Sequence, residues 1–420
     1  MEKGYPFRPL RRCKLRISML LFAAIILQGL VSIINHPNAV DDQEAAKALV
    51  AIDQPMRSST SATIDTSKPS KPIHITNSSA TTSNNSSTRE IPELAAQKSR
   101  AAADTKPKKK KPLKLRVKCG KRPKVLNQIR VANTMSSYPK ILCFVMTPHS
   151  EIHKIKLKAI RHTWGKRCDK FLIASNHTDL ELGVLHMKSE STYLGLWEKL
   201  NETLQYIWDL HRNEGYDWIL KADDNTYVIL ENLKEYLASP EIATKMEQPM
   251  IHGRRYSVPS YKNLAKRPEY FGNPVNAAFG KRFYEKINKD KSVIYNYGGA
   301  GYAMNWPYVK KFLEVMKGPD TIYGTPPEDQ AHGVVMAYHD IWPENTRDDL
   351  GRERFHQEGP EFMYSMNDTF RRLWNDNQQE TGGLSVGPEC CSEQSILFHH
   401  VRPSVMVSLD QYLYACEGRE

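Results

Sequence analysis

The sequence predicts an α/β domain built on a parallel sheet, because short apolar runs alternate with segments of helical periodicity. Residues 141–146 form a continuous apolar run, as in a strand buried on both faces, and 171–174 and 218–222 are further, mainly apolar, runs. Between these runs, apolar side chains recur at helical spacing over 152–160 and 196–208. This order predicts right-handed βαβ units with a ligand crevice at the carboxyl ends of the strands.

The N-terminal region indicates a membrane anchor. Residues 17–34 carry no charge and are long enough to span a bilayer, whereas 1–16 are strongly basic and Asp41 and Asp42 follow the apolar segment. The positive-inside rule then predicts a cytosolic tail at 1–16, a transmembrane signal anchor at 17–34 and a lumenal remainder. A cleaved signal peptide is the alternative, but no small-x-small cleavage site is evident over 35–40.

A polar stem is expected between the anchor and the folded part. Residues 38–99 are rich in Ser, Thr, Asn and Ala, and 106–124 contain many basic residues and no acidic residue. We therefore predict a disordered stem at 35–137 and a single lumenal domain at 138–420. The formal net charge of +12 comes from the basic run and the cytosolic tail, which excludes a nucleic-acid-binding body. The N-glycosylation sequons begin at Asn77, Asn84, Asn85, Asn176, Asn201 and Asn367.

The cysteine pattern fits an oxidising lumen. Apart from Cys13 in the predicted tail, the cysteines are Cys119, Cys143, Cys168, Cys390, Cys391 and Cys416. This even number permits disulfides, although the sequence does not determine the pairing. A zinc site is disfavoured because no C-x2-C pair occurs and the adjacent pair cannot easily ligate one tetrahedral ion.

An acidic cluster follows the third predicted strand. Asp223, Asp224 and Asn225 supply oxygen ligands at the sheet edge where α/β proteins bind substrates, and hard cations prefer such ligands. A solvated acidic turn after a strand is the alternative interpretation. Because the chain contains neither a G-x-G-x-x-G sequence nor a Walker loop, dinucleotide oxidoreduction and P-loop chemistry receive no support.

From about residue 138 to its C-terminus, the chain resembles the core 1 β1,3-galactosyltransferases, which are lumenal type II membrane enzymes of the Golgi. The matching segments, in the order that the family has them, are 141–147, 221–230, 252–255, 298–302, 328–329, 355–356, 390–392 and 398–401. The resemblance implies a GT-A type fold with a mixed, mainly parallel sheet. It also implies UDP-galactose as donor, O-linked GalNAc of glycoproteins as acceptor and a divalent metal, usually Mn2+.

The same resemblance implies roles for individual residues. The metal ligands would be Asp223, Asn225 and His399, and Asp329, paired with Glu328, would remove the acceptor proton. The donor-binding positions would be Thr147, Lys199, Asp223, Asp224, Gly299, Ala300 and His400. A structural alternative for Glu328 and Asp329 is the start of a helix, where acidic residues favour the helix dipole.

The chain also departs from the family pattern. Asn225 stands where the family usually has a third aspartate, and a neutral ligand should hold Mn2+ less tightly. The segment between Arg255 and Gly298 is longer than expected, and two family cysteines are missing near Thr321 and Val335, which indicates a lost disulfide. The alternatives are a related β1,3-glycosyltransferase with another donor or acceptor, and an inactive, chaperone-like relative. The sequence does not determine whether the chain forms a homodimer.

Overall fold

The structure is a computed structural model that describes residues 124–416 except 149, 191, 193–194, 259–273, 287–291, 323–326 and 367–380. All the described residues lie in one compact unit of the chain. No helix among them combines the length and apolar character needed to cross a bilayer. The predicted anchor at 17–34 and most of the predicted stem lie outside the described residues.

The unit is of the α/β type. Its strands are β1 (Ile141–Met146), β2 (Lys170–Ser175), β3 (Val184–His186), β4 (Trp218–Asp223), β5 (Tyr227–Val228), β6 (Ile251–Gly253), β7 (Arg255–Val258), β8 (Val293–Asn296), β9 (Tyr302–Asn305), β10 (Phe355–His356) and β11 (Leu397–Phe398). Its helices are α1 (Glu151–His162), α2 (Leu196–His211), α3 (Leu230–Leu237), α4 (Pro240–Ala243), α5 (Pro274–Lys286), α6 (Trp306–Lys317), α7 (Glu328–Tyr338), α8 (Pro360–Ser365) and α9 (Pro403–Asp410).

The central sheet has the strand order β3-β2-β1-β4-β9-β6, and its first four strands are parallel. Every residue of β1 is buried, because its side chains alternate between two cores. Cys143 and Val145 belong to the core that includes Ile160 of α1, whereas Phe144 belongs to the core that includes Leu204 of α2. The predicted βαβ arrangement and the mainly parallel sheet are therefore confirmed.

The remaining part of the sheet is antiparallel. Strand β9 pairs with β4 on one side and with β6 on the other, and Lys221 lies opposite Tyr302 in this register. Helix α6 follows β9 directly, and the Asn305 side chain caps it by accepting a hydrogen bond from the Tyr308 backbone N–H (3.1 Å). The mixed character of the sheet thus arises from β9, which the hydrophobic pattern did not reveal.

A second, three-stranded sheet joins distant parts of the chain. Strand β11 pairs in parallel with β10 and antiparallel with β5, which follows the acidic cluster. The backbone N–H of Ile229 also donates to the carbonyl of Ile396 (2.7 Å), and that of Val401 donates to the carbonyl of Asn225 (2.8 Å). These hydrogen bonds fix the residues just after β11 beside the end of β4.

The residues before β1 also pack on the body. Val125 and Leu126, in a 3-10 helix at Lys124–Asn127, are fully buried. The side chain of Asn232 in α3 accepts from the backbone N–H of Ala132 (2.8 Å) and donates to the carbonyl of Arg130 (2.7 Å). The folded part therefore begins before the boundary at 138 that composition indicated.

Disulfides are present, as the cysteine pattern predicted. Cys143 of β1 is bonded to Cys168, which precedes β2, and the adjacent residues Cys390 and Cys391 are bonded to each other. Cys416 is disulfide-bonded as well. The first of these bonds ties two neighbouring parallel strands at the end opposite the acidic cluster.

Candidate active site

The two carboxylate oxygens of Asp223 face different groups. Its Oδ1 accepts from the Lys221 ammonium at 2.7 Å, and its Oδ2 lies 4.0 Å from Nε2 of His399. The Asp223 side chain is 35% exposed, whereas those of Lys221 and His399 are buried. Asp223 thus pairs with the buried Lys221 ammonium through one oxygen, while its side chain remains partly exposed at the end of β4.

Asp224 is directed toward helix α1 and not toward His399. Its Oδ2 accepts from the Thr147 hydroxyl (2.7 Å) and contacts Nδ1 of His153, and its Oδ1 pairs with the Lys156 ammonium at 3.0 Å. Burial alone would raise the pKa of Asp224, but these hydrogen bonds and charges lower it below its usual value. The structure therefore brings Thr147 and Asp224 together, with Asp224 anchoring the end of β4 to α1.

His399 is brought to this site by the pairing of β11 with β5. Its ring is 5% exposed, and its Nδ1 has no hydrogen-bond partner among the described residues. Burial, reinforced by His400, holds the pKa of His399 well below its usual value, so that the imidazole stays neutral. A neutral imidazole is the form that binds metal ions.

Asn225 and His400 form the outer part of the cluster. The amide nitrogen of Asn225 lies 3.5 Å from Nδ1 of His400, and the rings of His399 and His400 are 3.7 Å apart between centroids. His400 has φ = 53°, a left-handed conformation that is strained for a residue with a Cβ. Strain of this kind is common where a side chain is held in place for binding or catalysis.

The glycine-rich segment at 298–301 lies beside Lys221, His399 and Asp329. The Gly301 N–H donates to the carbonyl of Gly298 (2.9 Å) in a turn, and Gly301 has φ = 61°. A Cβ on Gly299 would collide with the His399 imidazole. Glycine is thus required at 299 by a neighbouring side chain of the protein itself, while Ala300 is fully buried.

Glu328 and Asp329 open helix α7, and both are buried. Glu328 accepts from the Tyr302 hydroxyl (2.5 Å), and burial raises its pKa to about 7. Asp329 accepts from the backbone N–H groups of Gly298 (2.9 Å) and Gln330 (2.8 Å), and burial raises its pKa in spite of these hydrogen bonds. The two acids are therefore at a helix start, as the structural alternative had it, and also beside the glycine-rich segment.

Lys221 is the internal cation of the site, a role that the sequence analysis did not assign. Its ammonium contacts Asp223, the carbonyl of Gly298 (3.0 Å) and Oε2 of Glu328 (3.8 Å). Burial alone would lower the pKa of Lys221, but the acidic neighbours raise it well above its usual value. Its position two residues before Asp223, on the same side of the strand, is the signal that reveals it.

Lys199 lies in the first turns of α2, near Trp197. Both side chains are buried, and burial lowers the pKa of Lys199 to about 8. The Trp197 indole N–H donates to the carbonyl of Ile322 (2.7 Å), and its ring packs against Phe312 of α6. Trp197 is therefore part of the core, as its helical spacing predicted.

The described residues contain no group of three or more His, Cys, Asp or Glu side chains that could enclose a metal ion. The separation of 4.0 Å between Oδ2 of Asp223 and Nε2 of His399 is too long for a hydrogen bond, and it is less than twice a metal–ligand distance of about 2.1 Å, so that one ion can contact both atoms. A carboxylate oxygen and a neutral imidazole are donors that Mn2+ accepts. The residues present fit a metal with few protein ligands, the rest coming from water and substrate phosphate.

The burial of Glu328 predicts a pH-dependent stability difference. The pKa of Glu328 is about 7 in the folded protein and 4.5 in the unfolded chain, so ionising this carboxyl destabilises the fold. The destabilisation is complete above pH 7 and disappears as the pH falls toward 4.5. Glu328→Gln should therefore gain stability relative to wild type, and this gain in the free energy of unfolding should be larger at pH 8 than at pH 5 by on the order of 3 kcal/mol. Thermal unfolding of both proteins at the two pH values measures it, and an equal offset at both would contradict it.

Comparison with known proteins agrees with the motifs. No family model matches the chain. A curated relative, glycoprotein-N-acetylgalactosamine 3-beta-galactosyltransferase 1 of Xenopus laevis, is 27% identical over 284 residues, which is 68% of this chain and 69% of the relative. This similarity confirms the resemblance: over about two thirds of its length the chain is similar to a core 1 type β1,3-galactosyltransferase.

Proposed function

We propose that the chain is an inverting glycosyltransferase with a GT-A type fold that transfers galactose from UDP-galactose, in β1,3 linkage, to O-linked GalNAc of glycoproteins. The name of the Xenopus relative supports the reaction class. The structural observation that carries the proposal is the pairing of β11 with β5. It brings His399 to within 4.0 Å of Asp223, beside the segment that contacts Glu328 and Asp329.

In this proposal Asp223 and His399 hold Mn2+, with the side-chain oxygen of Asn225 as a third, neutral ligand. A divalent ion in this position supplies positive charge that stabilises the departing diphosphate. Lys221 keeps one oxygen of Asp223 occupied, so that the other stays directed toward His399. The small number of anionic ligands fits an ion that binds together with the donor.

Asp329 accepts the proton of the attacking acceptor hydroxyl. Its raised pKa brings it closer to neutral pH, where a general base works best. The N–H groups of Gly298 and Gln330 fix the orientation of the carboxylate, and Glu328 contributes to the negative environment. A developing oxocarbenium-like sugar is stabilised by nearby carboxylates in this class of reaction.

The other donor-binding positions are part of the proposal too. Thr147 and Asp224 lie together after β1 and β4, which are the strand ends where α/β sheets bind ligands. Gly299, Ala300, His400 and Lys199 complete the predicted set. We also propose a Golgi type II topology with the body in the lumen, anchored through 17–34.

A transfer assay with a manganese titration tests this function. The full-length chain in detergent is offered UDP-galactose or UDP-GlcNAc with a GalNAc-serine peptide, and Mn2+ is varied from micromolar to tens of millimolar. We expect β1,3-galactosyl transfer. Transfer of GlcNAc alone would favour the related-glycosyltransferase alternative.

Asn225→Asp should lower the Mn2+ concentration for half-maximal activity by about tenfold, because a carboxylate replaces a neutral ligand. Asn213→Asp, in the exposed turn after α2, is the matched control and should change nothing. If neither wild type nor Asn225→Asp transfers sugar at any Mn2+ concentration, the enzyme proposal is wrong. If Asn225→Asp transfers sugar and the wild type does not, the wild-type chain is an enzyme that has lost its activity through the change at position 225.

A further inference from the structure

A further carboxylate, that of Glu358, lies at the outer edge of the candidate site. Glu358 follows β10 and precedes α8, and its Oε1 lies 4.0 Å from Nε2 of His400. Its side chain is 26% exposed, whereas that of Glu328 is only 4% exposed. Of these two acids, Glu358 is therefore the one that a ligand can reach.

His400 connects Glu358 to the proposed metal ligands. One side of its ring, at Nδ1, lies near the amide of Asn225, and Nε2 lies on the side of Glu358. The pairing of β10 with β11 places the two residues close together, because each follows one of these paired strands. The His400 side chain is 47% exposed, whereas the neighbouring His399 is buried.

Tyr297 shows that Glu358 shares its surroundings with the other acids. Burial raises the pKa of Tyr297 well above its usual value, and the charges of Asp329, Glu358 and Asp223 add to this effect. The Tyr297 ring also packs edge-on against His399, with 5.8 Å between centroids. Three carboxylates from different parts of the chain thus act on the pKa of one half-buried tyrosine.

The carboxylates differ in the hydrogen-bond donors and cations that already contact them. Glu328 is engaged by Tyr302 and Lys221, and Asp329 accepts two backbone hydrogen bonds. No residue that the structure describes donates a hydrogen bond to Glu358, and burial raises its pKa to about 7. A partly buried carboxylate without donors gains most from a ligand that brings one.

We propose that Glu358, oriented by His400, binds the acceptor by accepting a hydrogen bond from a hydroxyl of the acceptor sugar. The inference rests on the proposed function and adds a residue to it that lies outside the motifs shared with the family. Sugar hydroxyls are donors, and a carboxylate at the rim of a site is well suited to receive them. Because Nε2 of His400 faces Glu358 and Nδ1 faces Asn225, a proposed metal ligand, we assign Glu358 to the acceptor and not to the donor diphosphate.

Glu358→Gln tests this inference through the separate Michaelis constants of acceptor and donor. The full-length variant should raise the acceptor KM by about tenfold or more, because a hydrogen bond to a charged group is lost. The donor KM should stay within about twofold of wild type. Glu361→Gln, an exposed acid in the first turn of α8, is the matched control and should leave both constants unchanged.

A binding measurement without donor makes the test independent of turnover. Saturation-transfer NMR with the GalNAc-serine peptide should show binding to wild type and to Glu361→Gln, and weaker binding to Glu358→Gln. Equal binding by all three proteins would overturn the role of Glu358. A wild type that binds the peptide but transfers nothing would count against the proposed function and leave the Glu358 result interpretable.

His400→Gly separates the imidazole from the backbone strain. Glycine adopts φ = 53° without a steric penalty, so this variant should melt no lower than wild type while its acceptor KM rises several-fold. His400→Ala loses the same ring and keeps the strain, so it should melt lower than His400→Gly. An unchanged acceptor KM in His400→Gly would contradict the orienting role.

Discussion

Asp329→Asn is expected to lower kcat by about 100- to 10,000-fold, the range that a general base contributes. The substitution keeps the size of the side chain and removes the group proposed to accept the proton. The Michaelis constant of the donor should change little, because the proposed donor and metal contacts lie on Asp223 and His399. Initial rates at saturating donor and Mn2+, with the GalNAc-serine peptide varied, measure this effect.

The competing interpretation of Asp329 is purely structural, and it predicts a different result. A carboxylate in the first turn of a helix stabilises it by about 0.3–1 kcal/mol through the helix dipole. In that case Asp329→Asn would melt a few degrees lower but would keep its kcat when assayed well below the melting temperature. Glu151→Gln, at the exposed start of α1, is the control for the loss of a charge in a first helical turn, including its exposed ion pair with Lys154.

The parallel part of the fold was predictable because its physical signal is local. A strand buried on both faces must be apolar throughout, and β1 shows this pattern without any knowledge of its partners. Strand β9 is just as buried, but it has only four residues and runs directly into α6. Its antiparallel pairing depends on contacts with residues distant in sequence, which periodicity does not record.

The motifs in the sequence identified most residues of the candidate site, but they did not show how these residues are arranged in space. His399 reaches Asp223 through the pairing of β11 with β5, two strands of two residues each, too short for any pattern. Glu358 reaches the same place through β10, and nothing in its local sequence marks it. Asp224 was expected at the donor, and only the structure shows that its carboxylate is engaged by α1.

Asp223→Ala is expected to abolish detectable transfer and to destabilise the fold as well. Removing a residue that hydrogen-bonds to a metal ligand lowers metal affinity or activity by about 10- to 100-fold. Removing a ligand itself should lower activity at least as much. The buried Lys221 would also lose its nearest counter-ion. Removing one partner of a buried pair costs about 3–5 kcal/mol, and less here because Glu328 remains 3.8 Å away and Asp223 is 35% exposed.

A double variant separates the two effects. Adding Lys221→Met to Asp223→Ala removes the unpaired cation, so the double variant should melt higher than the single variant while transfer stays absent. The melting temperatures of the two variants should be compared at pH 6, because Glu328, with a pKa of about 7, is then largely protonated and needs no counter-ion. Binding of Mn2+, followed by the electron paramagnetic resonance of the free ion, should be lost in both variants. Recovery of transfer together with stability would show that Asp223 serves only to neutralise Lys221.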